Sequence, residues 1–325
     1  MAAGILAACV ALRNEGPAEK VAVGSGMGLF LMMWLPALAS LAMGFTALAQ
    51  AVALIPCLVF IVFAIKVMRS RSGGSPLKPS WDGLKACLLR ERTALFVVAP
   101  LTALFLILLS SHSLMPDGSG NLTVGQSTYG DLSLHAGLIT SISEQGAFPP
   151  MYSLVSGEVP VGYPFLCDSV SASPHTLGAG LREAYMVPMA FAAFAVFLCA
   201  FAFFRMWLRG GGRAAFATVT FFVGGGFGFA YFLDLYKADP SAPGKLQAMM
   251  EGFYTTPTNL VDKGVYWVNA IADLMIPQRA TLFGWAVLIP CLYLLIKGLR
   301  VKGGAYLTIA GVMAGGLPLI HTHSF

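Results

Sequence analysis

The sequence predicts an all-α membrane protein: a polytopic helical bundle of about seven transmembrane helices with a long, partly helical extracytoplasmic first loop. Three observations predict it. Only 11% of the 325 residues are charged, against about 25% in soluble domains. The mean hydropathy is +0.75. Apolar runs of roughly 20 residues, enough to cross a hydrocarbon core of about 30 Å, recur along the chain. In lipid each backbone N–H and C=O must find its partner within the segment, so these runs should be helices.

Seven segments qualify, at 22–43, 46–67, 93–111, 184–207, 214–235, 279–297 and 304–321. Residues 1–12, "MAAGILAACVAL", are apolar but too short to cross alone. Positive charge sets sidedness. The segment 66–92 holds Lys66, Arg69, Arg71, Lys78, Lys85, Arg90 and Arg92, which makes it cytoplasmic. Alternating from there, the inner segments collect 15 Lys and Arg against 4 acids, and the outer ones 5 against 11. The net charge of +5 is therefore a matter of topology, and nucleic acid is not an expected partner. Six cysteines show neither a CxxC nor a metal spacing, so no disulfide framework is expected.

All five histidines fall on the outer side or at an outer span end. The loops there, 112–183 and 236–278, are far longer than ordinary connections. Residues 131–145 read as an amphipathic helix through Leu132, Leu134, Leu138, Ile139 and Ile142. An irregular, proline-punctuated stretch follows, "FPPMYSLVSGEVPVGYPF", and then "LCDSVSASPHTLGAGL" resumes a helical pattern.

Asp131 and His135 are four residues apart and share a helix face, as a base or metal-binding pair or as a capping acid beside a histidine. Asp168 is a helix N-cap or a second active-site acid. Arg279 opens a span at its outer end, either snorkelling or anchoring a lipid phosphate. His321 and His323 in "HTHSF" are a membrane-edge pair or contacts for metal or substrate. Tyr254, Tyr266 and Trp267 fit an aromatic belt or the wall of a sugar site. The glycines of "FFVGGGFGF" lie inside a predicted span, where they suit close helix packing better than a phosphate loop.

The acid early in the first outer loop ("YGDLSLH"), the later acid ("YPFLCDSVSA"), the outer-end "IPQRA" and the order D…H…FPP…G…Y…D resemble the GT-C class of membrane glycosyltransferases. The resemblance covers residues 93–325 and leaves 1–92 as an N-terminal membrane hairpin with a basic cytoplasmic loop. Such enzymes usually have more spans, and "HTHSF" stands where an outer loop is expected, so the chain reads as a fragment. The resemblance implies transfer of a sugar from a polyprenyl-phosphate-linked donor to a lipid, glycan or protein acceptor at the outer face of a bacterial plasma membrane. It implies Asp131 as catalytic base, with His135, Asp168, Arg279, His321, His323, Tyr266 and Trp267 around the substrate. A divalent metal cation, if one is used, would fall to Asp131, Asp168 or His323. The rival classes are a polytopic transporter, disfavoured by the scarcity of mid-span charge, and a non-catalytic membrane scaffold.

Overall fold

The computed structural model describes residues 1–73, 80–125, 128–226, 264 and 268–325. Among them, α1 (Ala2–Ala11) lies against α2 (Pro17–Met43), which a tight turn joins to α3 (Ala47–Arg71). A Cβ on Gly4 would collide with the Gly28 backbone, so the α1–α2 approach requires glycine. The short α4 (Trp81–Arg90) begins on a Ser80 cap, buries no residue and precedes α5 (Arg92–His112).

The long loop then folds on itself. A two-residue hairpin, β1 (Met115–Pro116) with β2 (Leu122–Thr123), leads to α6 (Tyr129–Gln145). Residues 146–165 are irregular, apart from a single Met151–Pro160 bridge, and α7 (Leu166–Thr176) follows. The chain returns through α8 (Leu181–Leu208) and α9 (Gly211–Val223). After a π-helical turn, Ala270–Met275, it continues through α10 (Arg279–Val301) and α11 (Gly304–Gly315) to two short 3-10 turns.

Among the described residues, five helices, α2, α3, α5, α8 and α10, are long and apolar enough to cross a membrane. Seven were expected. Of the span expected at 214–235, the described part is a 13-residue helix that stops at Gly224, the first of the glycine run, and residues 227–235 lie outside the described residues. The one expected at 304–321 ends at Gly316 before Pro318. Asn269 ties the first of these interruptions into the fold. Its side-chain nitrogen donates to the carbonyls of Phe222 and Gly224, and its oxygen accepts from Ile271 and Ala272 at the π-helical turn.

Helix α8 is the most buried of the five and packs against α2, α5, α9 and α10. Phe197 stands edge-on to Phe105 of α5 and Phe222 of α9, at centroid separations of 6.3 and 4.7 Å. The bundle has two polar ends. The basic end gathers the N-terminus of α2, the start of α5, the C-termini of α8 and α10 and the start of α11 through contacts of Glu15, Glu19, Glu91, Arg205 and Lys297. The other carries the long loop. This grouping is the one that the alternation of basic segments predicts.

The loop end is a built platform. Leu132, Leu138, Ile139 and Ile142 of α6 are buried at helical spacing, and α6 packs on α7. Gly146 closes α6 in the left-handed conformation, and its carbonyl accepts from Phe45 N at 2.6 Å in the α2–α3 turn. Phe148, preceding a cis proline, packs against both Phe45 and Phe165. These contacts fix α6 and α7 over the tips of α2 and α3.

Candidate functional site

Three distant segments meet under this platform. His135 of α6 faces the first turn of α7, and its Nδ1–H donates to both carboxylate oxygens of Asp168 at 3.0 Å. From the start of α10, the Arg279 Nε lies 3.4 Å from Asp168 Oδ1 as an ion pair. Its Nη2 donates to the Cys167 carbonyl at 2.7 Å and to Ser171 Oγ at 2.6 Å. Arg279 and Asp168 are both 0% exposed and His135 is 1% exposed. Charges so deep are tolerated only when paired, and here one carboxylate balances one guanidinium.

Aromatic rings close the group. The guanidinium lies 4.6 Å from the Tyr185 ring centroid and 5.3 Å from that of Phe283. The ring of Tyr163 meets His135 edge-on at 5.8 Å. Burial, with the nearby Cys167, Asp168 and Asp131, pushes the Tyr163 phenol well above its ordinary value. Asp131 is therefore near enough for its charge to be felt at Tyr163, yet it is exposed. Arg279 Nη1 and Tyr185 Oη have no hydrogen-bond partner among the described residues.

The outcome at each predicted position follows. His135, Asp168 and Arg279 converge. Asp131 stands one turn before His135 on α6 and takes no part in the ion pair. The partner of His135 is Asp168, because the helix face that buries the imidazole leaves the carboxylate of Asp131 at the rim. Asp168 does not cap α7, whose N-cap is Phe165; it is a buried partner for two side chains. Arg279 neither snorkels nor reaches the surface. His321, in the terminal turn, meets α10 two positions along from Arg279, with Nε2 3.3 Å from Thr281 Oγ1 and Nδ1 2.7 Å from Ser324 Oγ. A Cβ on Gly284 would run into its side chain. Burial, then the neighbouring His323, lowers the basicity of His321. His323 is exposed. Tyr254, Tyr266 and Trp267 lie outside the described residues.

No family model, curated protein or solved structure matches the chain. The likeness to GT-C enzymes thus rests on the quoted residues alone.

His135, Cys167 and Asp168 form a group whose ligand atoms lie within 4.8 Å of one another and which could hold a divalent cation. A nitrogen, a sulfur and an oxygen suit zinc. One feature opposes it: Arg279 already neutralises Asp168. Cys167, Ser171, Tyr163 and Tyr185 were not anticipated. Ser171 had a usable signal, lying three residues after Asp168 on the same helix face. Tyr185 stood out as a phenol in the first turns of an apolar helix.

Proposed function

We propose that this protein is a membrane glycosyltransferase that moves a sugar from a polyprenyl-phosphate carrier to an acceptor hydroxyl at the loop end of the bundle, on the extracytoplasmic face. The observation that carries this reading is the His135–Asp168–Arg279 convergence, one helical turn from the exposed carboxylate of Asp131. A buried, charge-balanced group is a rigid footing, and an exposed carboxylate above it is free to work.

In this mechanism Asp131 takes the proton of the acceptor hydroxyl. The acceptor oxygen bonds to the anomeric carbon while the bond from that carbon to the carrier phosphate oxygen breaks, and the phosphate leaves with the electron pair. A single displacement inverts the anomeric configuration. The carboxylate must lie within hydrogen-bond reach of the hydroxyl, and the loop end leaves it accessible for that. Asp168 and Arg279 are positioning residues, which hold α6, α7 and α10 in register. His135 transmits that footing to α6. His323, exposed and in ring contact with His321, would meet the carrier phosphate in this reading.

The test is incubation of the purified protein in vesicles with polyprenyl-phosphate-linked hexose or pentose donors, following release of the lipid phosphate and the anomer formed. Release with inversion supports the reading. No release with any donor and acceptor, from protein that unfolds cooperatively, contradicts it. A second reading, a metal-dependent membrane hydrolase, is favoured only by the His135–Cys167–Asp168 donor set. Zinc-dependent release of the sugar to water would distinguish it.

A further inference from the structure

A second cavity lies beside the site, on the other face of α7. It runs between α2, α3, α7 and α8 with a volume of about 490 Å³, within the roughly 300–1,000 Å³ typical of small-molecule sites. Leu31, Leu54, Val170, Val187 and Phe191 are among its walls. Three of these, Leu54, Val187 and Phe191, are also 60%, 52% and 44% exposed on the apolar flank of the bundle. Helix α3, which supplies Leu54, is the least buried of the five long helices. The cavity therefore opens sideways, onto the surface that faces lipid.

Met1, Ser173 and Glu183 also line it, and one further polar wall residue has no partner among the described residues. Gln50, in the first turn of α3, is 5% exposed, and neither its Oε1 nor its Nε2 has a hydrogen-bond partner among the described residues. A buried primary amide with both ends unmet costs free energy unless something supplies an acceptor and a donor together. A hydrocarbon chain supplies neither. A phosphate diester supplies acceptors only and leaves Oε1 without a donor. A hydroxyl supplies both from one atom, accepting from Nε2 and donating to Oε1.

We propose that this groove binds a lipid alcohol, with its hydroxyl on the Gln50 amide and its chain along the α3–α8 flank. Such an occupant would seat against Ser173 and Pro174, on the helix that carries Asp168. The inference stands on the cavity and on Gln50 and does not depend on sugar transfer.

The experiment compares oleyl alcohol with 1-octadecene, a chain of the same length without the hydroxyl, by native mass spectrometry of the detergent-purified protein. The wild type should retain the alcohol at least tenfold better than the hydrocarbon. Gln50→Leu, which keeps the volume and removes the unmet amide, should fold as well and lose that preference. The alcohol should raise the thermal midpoint of the wild type and leave that of Gln50→Leu unchanged. Equal retention of the two probes by the wild type overturns the proposal, as does an alcohol preference that survives Gln50→Leu.

Discussion

The two polar ends of the bundle use the same interactions to opposite effect. At the basic end, Arg205 spans Glu19 and Glu91, while Glu15 accepts from Tyr293 at 2.7 Å and Tyr306 at 3.0 Å beside Lys297. These pairs are partly open to solvent, with Arg205 and Lys297 side chains 23% and 28% exposed. At the loop end, the Asp168–Arg279 pair is fully enclosed, and a further carboxylate, Asp131, stands outside it. The basic end is a clasp that joins helix ends. The loop end has the same clasp, buried, with an exposed carboxylate left over. Partition of charge into a sealed footing and an accessible acid is what separates a candidate site from a structural network.

The largest effect should come from breaking the sealed pair. Asp168→Ala strands the Arg279 cation with no counter-charge and should lower stability in detergent by about 3–5 kcal/mol. The double variant Asp168→Leu with Arg279→Met should recover much of that loss, because the uncompensated charge is gone. Denaturant unfolding of both checks it; a double variant no better than the single would show that the pair does more than balance charge.

Arg205→Gln at the basic end should cost less, about 1–2 kcal/mol, since the glutamine amide can still donate to one of the two carboxylates and water reaches the 23%-exposed position. It should leave transfer activity intact. A loss of activity at unchanged stability would erase the distinction between the two ends.

The smallest effect, in pH, should also separate the ends. His321 has a folded value below the ordinary 6.5, so its contribution is present above that pH and is lost as pH falls through the window below it. At Glu15, burial opposes ionisation, but hydrogen bonds from Tyr293, Lys297 and Tyr306 outweigh it and hold the carboxyl below its ordinary 4.5. Its contribution is present above 4.5 and lost as pH falls further. On acidification the loop end should therefore weaken first. Thermal midpoints against pH should show an early step that His321→Gln removes, and a later one that Tyr293→Phe alters. An early step that persists in His321→Gln would contradict the assignment.

The long helices were legible because a run of apolar residues bounded by charge is a local signal. The expected span at 93–111 is α5, Arg92–His112, and α6 begins within two residues of the helix expected at 131–145. The interruptions at Gly224 and Gly316 were misread because hydropathy averages over the residues that end a helix. His135, Asp168 and Arg279, which converge, were among the candidates, yet their pairing was not read. Spacing put Asp131 with His135, but a helix face has a buried and an exposed half, and only packing decides which residue takes which. Arg279 was placed at a membrane edge because nothing local shows that α7 will present Asp168, the Cys167 carbonyl and Ser171 to it. Glu15 gave no signal of its clasp with Tyr293 and Tyr306, whose residues lie on helices far along the chain.

The most direct test is the rate of sugar transfer by Asp131→Asn, measured beside its unfolding midpoint. The account predicts a fall of about 10²- to 10⁴-fold with the midpoint unchanged, because the exposed carboxylate is spent on chemistry and supports nothing beneath it. Transfer at the wild-type rate from the asparagine variant would contradict it.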